Sequence, residues 1–259
     1  MRKGLEVARM GVILLRFIGG MILQGMRAPQ FWWWRRQGKH AQVEAKIEEL
    51  ASRWARQILR SLRCQVVVEG LEHVPRTGPL IVVSNHQSML DIPALLGYVG
   101  RGAGFLAKAE LYRIPVLNFW MRQIHCARID RADIAGSGKL LERLSGELKA
   151  AGGCLILFPE GTRTRHPDGE IGPFRRGSLR LAQAQELPIL PVALDGTRYL
   201  VNPEAMFASR AGRREVRIRI LPPRVTRREA SALENKRFMD ELRATIVSNW
   251  NEIRVNWQH

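Results

Sequence analysis

Hydrophobic residues along most of the chain fall into short runs that are separated by segments with helical spacing. The runs predict strands at residues 65–69, 80–83, 104–107, 127–129, 154–158 and 189–194. Between them, apolar residues recur every three to four positions, and glycines follow several of these segments. Short strands that alternate with helices are typical of an α/β domain. The pattern therefore predicts a single α/β domain whose largely parallel or mixed sheet is flanked by helices.

The last part of the chain adds one strand and one helix to this prediction. Residues 215–221 alternate Val216, Ile218 and Ile220 with arginines. Alternation of this kind buries one face of a strand and exposes the other, so we expect an edge strand with one solvent-exposed face. Residues 232–255 are expected to be mostly helical.

The N-terminal region has a different pattern. Residues 12–26 are apolar except for Arg16 and Gln24, and this run is shorter than the ~20 residues that span a bilayer as a helix. Three tryptophans at 32–34, followed by two arginines, come next. Aromatic rings beside cations suit the depth of lipid headgroups. We therefore interpret residues 1–40 as a monotopic membrane anchor, with a core helix and an exposed aromatic turn as the alternative.

The next segment, residues 43–62, has two opposed faces when it is drawn as a helix. One face is apolar, and the other carries a stripe of four arginines: Arg53, Arg56, Arg60 and Arg63. Such a helix can lie on an anionic membrane or pack on the domain as an ordinary surface helix, and both interpretations stay open. We divide the chain into membrane-associating helices at 1–62, forming an anchoring hairpin, and an α/β domain at 63–259.

The formal net charge of +17 on 259 residues is the unusual feature of the composition. An excess this large favours polyanions such as nucleic acid, anionic lipid or an acidic carrier protein. Nucleic-acid binding would interleave aromatic and basic residues on a groove, whereas the aromatic cluster here lies beside the apolar N-terminal run. This position favours lipid, so we expect no nucleic-acid partner. Three widely spaced cysteines predict neither a disulfide framework nor a metal site.

The strand at 80–83 delivers His86 and, five residues later, Asp91. A carboxylate that holds one imidazole nitrogen leaves the other free to act as a general base. On an ideal helix the two side chains would point ~140° apart, so their contact requires an irregular chain between them. Taken alone, the pair also fits a structural histidine at a strand end. A serine hydrolase using Ser88 is not supported, because no Gly-x-Ser-x-Gly segment is present.

Other strand ends carry basic residues. Glu160 and Arg163 follow the strand at 154–158, and Arg131 follows the strand at 127–129. Guanidinium groups bind phosphate through paired hydrogen bonds. In an open α/β sheet, ligands bind at the carboxyl ends of the strands, so we expect the base and the arginines to share one crevice.

Four segments, in order, resemble the motifs of the glycerolipid acyltransferases: residues 85–91, 129–131, 158–163 and 187–192. The similarity covers about residues 67–194, and within the family it is greatest to bacterial 1-acyl-sn-glycerol-3-phosphate acyltransferases. The resemblance implies an enzyme of phospholipid biosynthesis that moves a fatty acyl group to the sn-2 hydroxyl of lysophosphatidic acid, giving phosphatidic acid. The donor would be acyl-CoA or acyl carrier protein as a co-substrate, with no cofactor and no metal.

The resemblance also implies roles for individual residues. His86 is expected to be the general base and Asp91 its orienting partner. The expected acceptor-binding residues are Arg131, Glu160, Gly161, Thr162 and Arg163. Gly104, Phe105 and Leu106 are suggested to line an acyl tunnel. The alternative function keeps the chemistry and changes the acceptor, to lyso-ornithine lipid or another lysophospholipid.

The resemblance and the N-terminal pattern together imply a location. We expect a monotopic or peripheral protein at the cytoplasmic face of the bacterial inner membrane, bound to anionic lipid. One departure from the family pattern is that His125 and Cys126 stand before the strand at 127–129, where smaller or apolar residues are common.

Overall fold

A single seven-stranded sheet organises the structure, a computed structural model that describes residues 17–99, 101–129, 138–164, 166, 168–175, 177–201 and 215–255. The strands are β1 (Gln65–Glu69), β2 (Leu80–Ser84), β3 (Gly104–Lys108), β4 (Ala127–Ile129), β5 (Cys154–Leu157), β6 (Ile189–Asp195) and β7 (Glu215–Ile220). Their spatial order is β1-β7-β6-β2-β5-β3-β4. Neighbours run parallel except for the antiparallel pair β6 and β7. The predicted α/β domain with a mixed, mostly parallel sheet is confirmed.

Helices cover both faces of the sheet. They are α1 (Ala28–Arg36), α2 (His40–Ser61), α3 (Asp91–Tyr98), α4 (Pro115–Gln123), α5 (Gly138–Ala151), α6 (Gly177–Gln183), α7 (Arg198–Val201) and α8 (Ala232–Val255). Two 3₁₀ turns, Leu71–His73 and Ala109–Arg113, and a helical segment at residues 17–25 complete the described elements. The C-terminal helix has the predicted bounds, and β1 and β4 also match their predicted ranges.

Alternation along the strands builds two apolar layers. Val82 of β2 packs in the layer beneath α2 and α3, whereas its neighbours Ile81 and Val83 pack in the layer beneath α6 and α8. Each fully buried aliphatic side chain of this kind contributes about 1.5–3 kcal/mol of transfer free energy. The central strand is therefore fixed from both sides, and its carboxyl end is held in a defined position.

Helix α2 packs on the domain, which decides between the two interpretations of its apolar face. Ala55 and Leu59 are fully buried in the same core layer as Leu80 of β2, while the arginine stripe is exposed, as at Arg53 and Arg60. The apolar face is therefore not available to a membrane. The division at residue 62 stays a prediction, but α2 shares its core with residues beyond that boundary.

The edge-strand prediction for residues 215–220 is wrong. β7 lies inside the sheet, because β1 pairs with it in parallel on one side and β6 in antiparallel on the other. The arginines of its polar face are half-buried, and Arg219 bridges Glu69 and Glu252. The alternation correctly indicated burial on one face, but it carries no information on which strands pair.

The N-terminal segment (residues 17–36) packs on α2 and α4 along one side. Met21 and Phe31 are buried with Val43 and Trp120, and the Trp120 Nε1–H donates to the Met21 carbonyl at 2.9 Å. The opposite side exposes large apolar groups, here called the exposed apolar face: Ile18, Ile22, Leu23, Met26, Trp32 and Trp33. Among the described residues, no helix has the length and apolar character that crossing a bilayer requires. The anchor stays a prediction.

Candidate active site

The chain between β2 and α3 is irregular, and it brings His86 and Asp91 together. Helix α3 begins at Asp91 itself, so residues 85–90 form a loop, called here the His86 loop. The His86 Nδ1 and Asp91 Oδ2 atoms are 2.7 Å apart. The predicted contact, and the predicted break in helical geometry that it needs, are both confirmed.

Asp91 is completely buried, yet its carboxylate is saturated with hydrogen bonds. Besides His86, its Oδ2 accepts from the backbone N–H groups of Gln87 at 2.6 Å and Ser88 at 2.9 Å, and its Oδ1 accepts from the Thr197 hydroxyl. Four donors offset the loss of water around a buried charge. Since an ionised carboxylate only accepts, the His86 Nδ1 must carry the proton, which leaves Nε2 with a free lone pair.

The imidazole of His86 is held on one side by an aromatic ring. It stacks on Phe158, with the ring centroids 4.0 Å apart and the planes 16° from parallel. The His86 side chain keeps 17% of its surface exposed, in contrast to Asp91. The ring edge that carries Nδ1 is thus held by Asp91, and the exposed part of the ring is accessible to a reactant. The stacking partner was not predicted, although Phe158 ends the predicted strand at 154–158 and begins the motif at 158–163.

Glu160 joins two loops. Its Oε1 accepts from the His86 backbone N–H at 2.7 Å, and its Oε2 accepts from the Gly172 N–H at 3.0 Å. Burial raises the pKa of this carboxyl, although both hydrogen bonds oppose that rise. Because both oxygens are engaged, the structure gives Glu160 a positioning role beneath His86. Its predicted contact with a substrate stays a prediction.

Gly161 has a backbone reason to be glycine. Its φ is +68°, and a Cβ there would lie 2.9 Å from the Arg175 Nε. The Arg175 guanidinium donates in turn to the Glu160 carbonyl at 3.1 Å. Gly161 therefore shapes the turn, and the structure shows no direct site contact for it.

Thr162 and Arg163 are exposed at the rim of the site. The N–H of the next residue, Thr164, donates to the His86 carbonyl at 2.9 Å, which ties this loop to the His86 loop. This bond places the loop that carries Arg163 beside the His86 loop, and the shared crevice of Arg163 and His86 stays a prediction. Arg131 lies outside the described residues, as do Arg165 and Arg176.

The end of β6 supports the same loop, and the sequence did not reveal this. Asn85 exchanges two hydrogen bonds with the backbone of Leu194, at 2.8 and 2.9 Å. Gln87 donates to Asp195 at 2.8 Å, and Trp250 donates to the same oxygen at 3.1 Å. The motif at 187–192, which ends inside β6, was the available signal, because it indicated a buried strand that belongs with the other motifs. Its side-chain partners lie beyond the motif.

Gly104, Phe105 and Leu106 do not form one lining. They are consecutive on β3, so Phe105 packs with one core layer and Leu106 with the other. A Cβ on Gly104 would lie 2.4 Å from the His125 carbonyl oxygen, which explains the glycine by close packing. Successive strand residues point to opposite faces, so these three side chains cannot line one wall together. A contribution of this strand to an acyl tunnel stays a prediction.

Other nucleophiles are poorly suited to covalent chemistry. The Ser88 Oγ accepts from the Leu90 N–H at 3.0 Å and lies buried in the turn. Burial raises the pKa of Cys126 and of Cys154 to about 12, so both thiols stay protonated at neutral pH. The described residues contain no group of three or more histidine, cysteine or carboxylate side chains that could hold a metal. The site therefore offers a general base backed by a buried carboxylate.

Comparison with known proteins identifies relatives of this arrangement. A family model described as Acyltransferase matches residues 65–195, just over half of the chain. The crystal structure of the 1-acyl-sn-glycerophosphate acyltransferase PlsC from Thermotoga maritima superposes with a TM-score of 0.76 at 28% identity, covering 100% of both chains.

Curated relatives carry the same kind of name. A chloroplastic 1-acyl-sn-glycerol-3-phosphate acyltransferase of Brassica napus is 37% identical over 50% of this chain and 37% of its own length. The Saccharomyces cerevisiae enzyme of that name is 30% identical over 74% of this chain and 62% of its own length. The Pseudomonas aeruginosa enzyme is 32% identical over 61% and 59%. The chain thus spans less than two thirds of the length of these curated relatives.

Proposed function

The chain belongs to the acyltransferase family, and from this premise we propose that it transfers a fatty acyl group from a thioester donor to the sn-2 hydroxyl of lysophosphatidic acid. The observation that carries the proposal is the His86–Asp91 pair at the carboxyl end of β2. Its 2.7 Å contact leaves the Nε2 of a partly exposed ring without a hydrogen-bond partner among the described residues. The names of the relatives support the choice of acceptor. The donor is acyl-CoA or acyl carrier protein.

The reaction proceeds by direct attack. The His86 Nε2 takes the proton of the acceptor hydroxyl while that oxygen adds to the thioester carbonyl. Asp91 stabilises the resulting imidazolium through the Nδ1–H. When the tetrahedral intermediate collapses, the C–S bond breaks, the thiolate leaves, and the imidazolium returns a proton to it. The products are phosphatidic acid and a free thiol.

The acceptor phosphate requires a cation close to the base. In lysophosphatidic acid the phosphorus is four bonds from the reacting oxygen, which is at most ~6 Å at ~1.5 Å per bond. Arg163 meets this need, because its loop is bonded to His86 through Thr164 and its side chain is exposed. Arg131 is proposed as a second phosphate ligand on its motif alone. An acceptor without a phosphate would not need either arginine.

We propose that the exposed apolar face of residues 17–36 inserts into the headgroup region of an anionic bilayer. Trp32 and Trp33 are more than half exposed, and cations lie over both rings: the Arg36 guanidinium at 4.2 Å and the Lys39 ammonium at 5.4 Å from the ring centroids. Rings at headgroup depth with cations at phosphate depth stabilise an interfacial protein. The proposed location is the cytoplasmic face of the bacterial inner membrane.

A transfer assay tests the proposed reaction. Two donors, acyl-CoA and acylated acyl carrier protein, each carry a radiolabelled acyl group. Each donor is combined in turn with one of four acceptors: lysophosphatidic acid, lyso-ornithine lipid, lysophosphatidylcholine or glycerol 3-phosphate. We expect labelled phosphatidic acid as the main product. Preferred acylation of lyso-ornithine lipid would replace the acceptor, and absence of transfer to every acceptor by a folded, membrane-bound protein would reject the reaction.

A further inference from the structure

A second basic site lies at the far edge of the sheet. The 3₁₀ turn Ala109–Arg113, helix α4 and strand β4 enclose a cavity of about 530 Å³. Arg113, Arg122 and Arg128 line it, and neither His86 nor Glu160 does. We call it the arginine cavity. Its volume falls in the range of about 300–1,000 Å³ that is typical of small-molecule sites.

Among the described residues, the guanidinium groups of the arginine cavity have no neutralising carboxylate partner. None of the described residues that line it is acidic, and within the described chain Arg113, Arg122 and Arg128 form no ion pair with a carboxylate. This contrasts with Arg219 and Arg224, which do. Three convergent cations of this kind favour a ligand with several negative charges.

Neighbouring polar groups hold the wall in place. The Arg122 Nε donates to the Asn118 Oδ1 at 2.7 Å, one helical turn away. Asn118 donates to the Tyr112 carbonyl at 2.8 Å, and the Tyr112 hydroxyl donates to the Cys126 carbonyl at 2.7 Å. This chain of bonds connects α4, the 3₁₀ turn and the residue before β4. The cavity is thus a built feature, with Arg122 oriented before any ligand arrives.

The position of the arginine cavity favours a ligand other than the acceptor phosphate. In the strand order, β4 lies three strands from β2. At ~4.8 Å between neighbouring strands, Arg128 is ~14 Å across the sheet from the strand that carries His86. The acceptor phosphate must stay within ~6 Å of the reacting oxygen. A phosphate bound to Arg128, within β4, therefore fits a longer reactant better than the acceptor, whose phosphate is assigned to Arg163 and to Arg131 in the segment that follows β4.

We propose that the arginine cavity binds the phosphate groups of coenzyme A, which makes acyl-CoA the acyl donor. This inference rests on the proposed function. In acyl-CoA a pyrophosphate and a 3′-phosphate are separated from the thioester by the extended pantetheine arm, which suits a phosphate site several strands away from the base. A cavity of about 530 Å³ suits phosphate groups and part of a nucleotide, but it is too small to admit a helix of an acidic carrier protein, which is about 10–12 Å across with its side chains.

Binding of free coenzyme A tests the inference without any acyl transfer. Calorimetric titration of the full-length protein is compared with the variants Arg113→Gln and Arg128→Gln and with the control Arg60→Gln, an exposed arginine on α2. Losing one charge-assisted contact is expected to weaken binding at least tenfold in each cavity variant, with the control unchanged. Dephospho-CoA, which lacks the 3′-phosphate, is expected to bind more weakly than CoA to the native protein. All exchanged side chains are exposed, so folding should persist.

Several outcomes would overturn the inference. Equal affinity of all variants for coenzyme A would do so. The cavity variants could instead bind lysophosphatidic acid vesicles more weakly while their affinity for coenzyme A is unchanged. That result would also overturn the inference and would indicate a lipid headgroup site. In the transfer assay, the KM for acyl-CoA should rise at least tenfold while the KM for lysophosphatidic acid stays constant. If coenzyme A binding depends on the arginines but no lysolipid is acylated, the proposed function fails alone. If transfer proceeds and the arginines are irrelevant, only this inference fails.

Discussion

The His86 loop and the N-terminal segment are held by opposite kinds of interaction. In the loop, Asp91 and Asn85 are buried and hydrogen-bonded. Asn85 bonds the backbone of β6, and Asp91 bonds the backbone of the loop, the His86 ring and Thr197. The N-terminal segment is attached through an apolar contact of Met21 and Phe31, and its other side leaves large apolar groups exposed. Proton transfer needs fixed geometry, whereas a membrane surface needs exposed apolar area that adapts to lipid. The two regions should therefore respond to mutation independently.

The substitution Asp91→Asn should have the largest effect, and it should act on the loop alone. The carboxylate now accepts four hydrogen bonds, from His86, Gln87, Ser88 and Thr197. An amide nitrogen cannot accept a hydrogen bond, so at least one of these four donors loses its acceptor. We expect kcat/KM to fall on the order of 10³-fold. Binding to lipid vesicles should not change. A variant within tenfold of the native activity would show that the carboxylate is not needed.

The substitution Thr197→Val should give a smaller loss, of about tenfold in kcat, because it removes one donor from Asp91 and preserves the shape of the side chain. Thr197→Ser keeps the hydroxyl and serves as the matched control, with activity close to native. Equal activities of the two variants would assign Thr197 a packing role only.

The paired substitution Trp32→Ala and Trp33→Ala should affect the N-terminal segment alone. Both rings are more than half exposed, so the fold should not depend on them. Loss of two interfacial rings should weaken binding to phosphatidylglycerol vesicles by about tenfold or more in a co-sedimentation assay. Leu233→Ala, an exposed apolar residue of α8, is the control. A control that weakens binding equally would point to general surface hydrophobicity, and unchanged binding would place the membrane contact elsewhere.

The smallest expected effect concerns the contact between His125 and α2. The His125 Nε2 lies 2.9 Å from Glu44, and this hydrogen bond raises the pKa of His125 against the opposing effect of burial. The same bond lowers the pKa of Glu44. Stability from a raised histidine pKa is present below the ordinary value of 6.5 and is lost as pH rises through the raised value. Stability from Glu44 is present above 4.5 and is lost as pH falls through its lowered value.

His125→Ala should therefore lower the midpoint of thermal unfolding between pH 4.5 and 6.5 and have little effect at pH 9. Since both side chains are largely exposed, the cost should stay below about 1 kcal/mol. A destabilisation that is equal or larger at pH 9 would show that packing, and not the ion pair, provides the stability of this contact.

The sequence predicted the elements of the fold well, because buried strands such as Leu80–Ser84 and the amphipathic helix His40–Ser61 leave strong periodic patterns. Pairing was less predictable, as β7 shows: a strand with one polar face can lie inside a sheet when charged neighbours cover that face. The positions of residues 104–106 were also predictable in part, since three consecutive residues of a strand cannot share a face.

The chemistry of the site was only partly predictable. The contact between His86 and Asp91 is local, so spacing could suggest it. Thr197 is 106 residues from Asp91 in the chain, and Asp195 is 108 residues from Gln87, so no local pattern connects them. The arginine cavity left no motif at all, because its cations come from a 3₁₀ turn, a helix and an edge strand that only the fold brings together.

The central claim is that His86 is the base for acyl transfer, and the rate of transfer to lysophosphatidic acid by His86→Ala tests it most directly. The backbone contacts of His86 with Glu160 and Thr164 do not involve the ring, so the variant should fold and keep a native circular dichroism spectrum. We predict that kcat falls by about 10²–10⁴-fold and that binding to lipid vesicles is unchanged. A folded variant that turns over near the native rate would contradict the account.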